Sequence, residues 1–211
     1  MAAGGSCVRV ISGGSCVRVA IGGSCAGEIS GGSCVRVATG SSCVCAIAGG
    51  ERVCVVSGGS CAGEISGGSC VCVVSGGSCV GAIAGGSCVC VVSGGSCVGV
   101  ASGDYARATT ADGYAHATTA GDYAHATTAG GHAHALTAGA RAKTSATGEN
   151  SIAVAVGYNS SARAANGGFI VLAQYDGDTV VAVKTAQVGK DGIKPDTWYT
   201  LSPTGEFIEA E

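Results

Sequence analysis

The chain has 211 residues, with 39 Gly, 14 Cys, 12% charged residues, one Met, one Trp and two Phe, and a net charge of −3. A conventional core of Leu, Phe and Met is excluded, and the apolar mass is Val, Ile, Ala and Cys, residues suited to thin, closely facing sheets. With 46% hydrophobic residues the chain is also too apolar for a solvated linker.

From Gly4 to Ala165 there are 8 Lys/Arg against 7 Asp/Glu, and afterwards 3 against 7. Neither part forms a basic stripe or a dense acidic surface, so nucleic acid is not an expected partner. Glycine interrupts every apolar run well short of a membrane span, and no membrane association is expected. The start, Met-Ala-Ala-Gly-Gly, shows no basic segment followed by an apolar run, so no signal peptide is read. A cytoplasmic location, in a bacterium or an infected host, is the expectation.

Beginning at Gly4 the sequence reads GGSCVRVIS, GGSCVRVAI, GGSCAGEIS, and this nine-residue unit continues without insertion to Ala165, eighteen units in all. Each is a Gly-rich corner followed by about five strand-forming residues. Alternate units resemble each other more than neighbours do. At the sixth position the even-numbered units carry Arg18, Arg36, Cys54, Cys72 and Cys90, whereas the odd-numbered ones carry Arg9, Gly27, Cys45, Gly63, Gly81 and Gly99. The predicted fold is therefore all-β, a parallel β-solenoid (β-roll) with two units per 18-residue coil. Coils stacked at ~4.8 Å make a rod roughly 43 Å long.

Residues 4–102 are Cys/Val-rich and 103–165 Ala/Thr/His-rich, and together with the first residues they form one expected solenoid domain, 1–165. In the later part Ala106, Ala115, Ala124 and Ala133, and Ala108, Ala117, Ala126 and Ala135, alternate with Arg107, His116, His125 and His134, so positions four and six face inward. Carried into the first half, that register turns Arg9, Arg18 and Arg36 inward and sets Val8, Val17, Val35 and Val53 outside. The rival register buries the valines and displays Cys and Arg. In the first register Val17, Val35, Val53, Val71 and Val89 form an exposed apolar ladder, which makes a homo-oligomer or an unknown protein partner the expectation.

Cys7, Cys25, Cys43, Cys61, Cys79 and Cys97 repeat every 18 residues. Stacked cysteines are close enough for disulfides, but replacement by Ala in later units points to small buried filler. The C-x-C pairs Cys43/Cys45, Cys70/Cys72 and Cys88/Cys90 and the coil-spaced His116 and His134 are weak candidates for a soft metal, since zinc sites use other spacings. No cofactor is expected. Calcium is disfavoured because the nonapeptide's ligand Asp is missing. Thr109, Thr110, Thr118, Thr119, Thr127 and Thr128 form short ladders that suggest ice binding. No nucleophile–base pair, phosphate loop or carboxylate pair stands out, so no enzyme is expected and no catalytic residue is proposed.

The remaining segment, 166–211, holds both prolines, both phenylalanines and the Trp. Phe169 to Tyr175 and Thr179 to Val188 read as a hairpin, with further strands at Thr197 to Leu201 and Glu206 to Glu209. This is a cap over the open solenoid end, with Phe169, Trp198, Tyr199 and Phe207 as its capping residues. Met1 to Ala3 are too few to cover the other end.

The units around GDYAHATTAG, with GGFIVLAQYD and GIKPDTWYTL in the tail, resemble uncharacterised repeat proteins of phages, prophages and gut bacteria, from about Gly103 to the end. GENSIAVAVGYNSSARA is similar to the β-roll heads of trimeric autotransporter adhesins, which implies trimers and binding surfaces. The Cys/Val-rich half departs from the first group. The leading expectation is a non-enzymatic structural or binding solenoid, phage- or prophage-associated and homo-oligomeric. The alternatives are an inhibitor or sequestering protein acting on a host defence or cellular enzyme, and an ice-binding protein.

Overall fold

The computed structural model describes residues 2–210, with side chains from Gly5 onward except those of Cys7, Arg9 and Ile11. The inward placement expected of Arg9 and the ladder position of Cys7 fall outside those described side chains. Among the described residues every regular element is a strand, and they wind into a parallel β-solenoid of about nine coils with an 18-residue repeat.

The first coils are made of β1 (Ala2–Ser12), β2 (Cys16–Gly31), β3 (Cys34–Gly49), β4 (Arg52–Gly67) and β5 (Cys70–Gly85). Each of β2 to β5 is 16 residues long and runs through an even unit and the next odd unit without a break, so one corner of each early coil is a bent strand. The opposite corner is a true turn, where Gly67 has φ +154° and packs under the carbonyl of Gly49, leaving no room for a Cβ.

Later strands come from single units: β6 (Cys88–Ser93), β7 (Ser96–Ser102), β8 (Arg107–Ala111), β9 (His116–Ala120), β10 (His125–Ala129), β11 (His134–Ala138), β12 (Lys143–Ala146), β13 (Ile152–Ala155) and β14 (Ser161–Ala164). Their corners are tight turns in which Tyr105, Tyr123, His132, Arg141, Asn150 and Asn159 take the left-handed conformation, φ 52–62°. Asn tolerates that region readily, and for Tyr, His and Arg the stacked coils must hold it.

Successive coils pair in register, as in Cys16↔Cys34, Val35↔Val53 and His116↔His134. Odd units stack into one wall and even units into the other. Positions four, six and eight of the units from the second onward point between the walls, so the core is a column of Cys, Gly, Ile and Val that gives way to Ala and Thr. The structure thus selects the register with Cys inside. Arg36 is only 3% exposed, and the five ladder valines lie outside. The rival arrangement, with Val buried and Arg displayed, does not occur.

The conflict that register raised is resolved by glycine. A Cβ on Gly27 would stand 2.6 Å from the guanidinium of Arg36, so the bare position on the odd wall is the space into which the arginine extends. The same complementarity repeats further along, where a Cβ on Gly63 or Gly81 would meet the sulfur of Cys72 or Cys90 at 2.6 or 2.7 Å. The alternation of large and small at position six is one interior width divided unequally between two walls.

The end of the rod is built by β15 (Phe169–Asp176), β16 (Thr179–Gln187), β17 (Tyr199–Leu201) and β18 (Phe207–Glu209). β15 still pairs parallel with β13 as a last rung, with Ile152↔Phe169 one residue short of the usual repeat, and then forms the expected antiparallel hairpin with β16. β17 pairs antiparallel with β14 through Ala162↔Tyr199, and with β18. Both walls therefore change from parallel to antiparallel pairing at this end. Tyr199 is buried here, its hydroxyl accepting from the Lys194 amide at 2.9 Å. Phe169, one of the expected capping residues, opens β15. The shortened corner sets it outward, 39% exposed, in line with Ile152, and Ile170 and Leu172 plug the interior instead.

Candidate functional site

The interior and the outer walls of this rod carry different chemistry. In the odd wall the sulfurs of Cys43, Cys61 and Cys79 each donate to a corner carbonyl of the even wall, those of Ser57, Ser75 and Ser93, at 3.5–3.7 Å. Burial pushes the thiols of Cys43 and Cys70 up to about 11 and that of Cys79 to about 12. Such thiols stay protonated and unreactive at neutral pH.

Cys70 stacks on Cys88 and Cys72 on Cys90, and the Cys72 thiol is raised first by its hydrogen bond to Cys90 and then by burial. Cys45 and Cys54 oppose each other across the interior, Cα atoms 7.0 Å apart, and are joined as a disulfide; they are cysteines in adjacent units both standing at position six. The C-x-C pairs are thus split between stacked thiols and a cross-wall bridge. Among the described residues no group of three or more His, Cys, Asp and Glu is placed to hold a metal ion.

Two arginines share this interior. Arg36 donates to the carbonyl of Gly27, and Arg52 donates to the carbonyls of Gly31 and Ala48 at the turn corner. Burial is the main influence lowering the Arg36 guanidinium from its usual range. Arg52 is 2% exposed, and its Nε and Nη1 have no hydrogen-bond partner. It occupies a cysteine position, between Cys34 and Cys70 in the even-wall ladder. Sequence reasoning passed over it, although Arg in the slot that reads Cys in neighbouring units is a visible departure.

Outside, the even wall carries two adjacent ladders. Val17, Val35, Val53, Val71 and Val89 stack as one continuous column, and Val19, Val37, Val55, Val73 and Val91 form a second beside it. Above Val89 the first column continues as Arg107, His125 and Lys143, and the second as Thr109, Thr127, Ser145 and Arg163. The face changes from apolar to cationic at one rung.

Trp198, carried by the cap, lies against this upper part, 4.7 Å from the Arg163 guanidinium and 5.4 Å from the Lys143 ammonium, measured to the ring centroid. The Arg163 Nε donates to Ser145 Oγ at 2.9 Å. His125 is lowered by burial first, and then by Arg107 and Lys143 on either side of it.

On the odd wall His116 and His134 stack with ring centroids 5.1 Å apart, and His134 is lowered by burial and by His116 and His132. Corner rings stack as well: Tyr105 on Tyr123 at 5.1 Å, with Arg141 over Tyr123, and Tyr114 on His132 at 5.7 Å. Lower on this wall a shallow trough of about 510 Å³ is floored by Ile29, Ile47, Ile65 and Ile83 and rimmed by Glu28 and Glu64.

The threonine ladders divide between inside and outside. Thr110, Thr119 and Thr128 are fully buried with unpartnered hydroxyls, while Thr109 and Thr127 remain on the even face and Thr118 on the odd. Of the ladders that suggested ice binding, Thr109 and Thr127 thus stack on the outer even face, while Thr110, Thr119 and Thr128 face the core. No helix among the described residues is long and apolar enough to cross a membrane. Comparison of the chain with family models, curated proteins and solved structures returned no match.

Proposed function

We propose that this chain is a rod-shaped scaffold that self-associates through the valine face of its Cys/Val-rich half. The fold is consistent with a structural or binding role. The carrying observation is the double ladder of ten valines on the even wall, which spans five rungs, roughly 24 Å at strand spacing. Hydrophobic columns of that extent are covered in soluble proteins. A second copy is the occupant that matches, because its own ladder repeats the same side chain at the same pitch. Two such faces related by a twofold axis bury each other in full. The resemblance of the AHATTAG units and tail supports a phage- or prophage-associated origin, and the likeness of residues 148–164 to trimeric heads supports a trimer as the competing stoichiometry.

Light scattering coupled to size exclusion tests this reading. The parent chain is expected to run as a discrete oligomer, and the Val35→Lys/Val71→Lys double variant as a monomer with unchanged β circular dichroism. A parent chain that is monodisperse and monomeric at high concentration would refute self-association.

A further inference from the structure

The geometry points to a binding surface for an acidic polysaccharide on the even wall of the second half, built from Arg107, His125, Lys143 and Arg163 and bordered by Trp198. The first support is where the charges lie. Between Gly103 and Ala165 the four cations, Arg107, Arg141, Lys143 and Arg163, all belong to even units. The four acids, Asp104, Asp112, Asp122 and Glu149, all fall in the first two positions of their units, at the corners. The outward strand positions of this wall therefore carry positive charge with no acidic side chain among them.

Arg141 stands at the corner edge, where its guanidinium bonds the Tyr123 hydroxyl and feels Asp122. Arg107, Lys143 and Arg163 are the cations of the face itself. The odd wall at the same height presents His116, Thr118, His134, Leu136, Ile152 and Val154, with no fixed charge. The asymmetry is a property of one face and not of the composition as a whole.

The second support is spacing. Arg107 and Lys143 lie in one ladder with His125 between them, two rungs or roughly 9.6 Å apart. Depressed by burial and by its two cationic neighbours, the imidazole is neutral at pH 7 and contributes a hydrogen-bonding group rather than a third charge. The adjoining row supplies the hydroxyls of Thr109 and Thr127. A polymer of uronates, with carboxylates recurring along the chain and hydroxyls between them, presents the complementary pattern along the rod axis. At the cap end the half-buried indole of Trp198, already set against two cations, provides an apolar edge for the C–H face of a pyranose. Nucleic acid fits less well. Three face cations neutralise few phosphates, and the face offers a single aromatic where single-stranded binders use successive stacking platforms.

This inference does not depend on the valine face. Alginate, a polymer of uronates, is the probe, titrated calorimetrically into the full chain at about 50 mM salt, with neutral dextran, single-stranded DNA and polyglutamate alongside. The expected result is alginate binding that weakens as salt rises, with none to dextran. The Arg107→Ala/Lys143→Ala variant should lose at least about tenfold in affinity. The charge-preserving Arg107→Lys and Lys143→Arg variants, and His116→Ala on the opposite wall, should bind as the parent does. Absence of alginate binding, equal binding by the double alanine variant, or tighter binding of DNA or polyglutamate overturns the inference.

Discussion

Gly63 faces Cys72 across the interior so closely that a Cβ on the glycine would stand 2.6 Å from the sulfur. Gly63→Ala is therefore expected to destabilise the chain by about 1–3 kcal/mol through overpacking. Cys72→Ala in that background should recover most of the loss, the remainder arising at Val74 Cγ2, 3.1 Å from the same point. Alanine on both walls is the arrangement the second half already uses, in Ala108, Ala117, Ala126 and Ala135. A double-mutant cycle in denaturant measures the coupling, and additive effects would show that the two positions do not share space.

Replacing Arg52 with Cys should raise stability. The guanidinium is buried with Nε and Nη1 unpartnered and bonds only to backbone carbonyls, and a buried charge without a counter-ion costs several kcal/mol. Cysteine is what the ladder holds on both sides, at Cys34 and Cys70, so the substitution removes the charge without changing the fold's own packing rule. A gain of about 1–3 kcal/mol is expected in thermal or denaturant unfolding. A lower midpoint would mean that the carbonyls of Gly31 and Ala48 depend on this donor.

Thr119→Val should also stabilise, by about 1 kcal/mol, since the hydroxyl is buried without a partner and the side chains match in shape. Thr137→Val provides the contrast. Its hydroxyl shares a 2.7 Å hydrogen bond with Thr144, which itself donates to the Val154 carbonyl, so that substitution removes a bond already made in the core and should destabilise. Opposite signs at two threonines of one ladder, Thr119↔Thr137, would be read directly from melting midpoints.

Acid should weaken the second half. His125 and His134 are both lowered from 6.5, the first by burial, Arg107 and Lys143, the second by burial, His116 and His132. The unfolded chain then binds protons that the folded one resists, so stability is full above about pH 6.5 and declines as pH falls below it. Melting temperature should drop between about pH 7.5 and 5, and His125→Thr should make that drop shallower. A midpoint independent of pH across that window would contradict the placement of these rings.

The solenoid was legible because the nine-residue phase never slips and the alternation at position six exposes the 18-residue coil. Which wall face pointed inward was not legible in the first half, where Cys and Val are both apolar and Arg18 and Arg36 oppose the polarity rule. The deciding relationship, Gly27 opposite Arg36, joins different units across the interior and leaves no mark in a unit-by-unit comparison. The outward setting of Phe169 was not legible either, because it depends on one residue fewer in the corner at 166–168. The threonines were readable in principle, since alternation separates Thr109 from Thr110, but adjacent identical residues disguise which one faces out.

Because the two walls are unlike and each ends on its own antiparallel strand, β16 on one and β17 on the other, the length of this rod is quantised. Loss or gain of 18 residues moves the tip by one rung, about 4.8 Å, and leaves every column continuous. Loss of nine exchanges the walls beyond the break. Valine columns would then run into histidines, arginines would face arginines instead of glycines, and each terminal strand would arrive at the wrong edge. Gene variants that lengthen or shorten this protein by recombination between its repeats should therefore survive in even numbers of units.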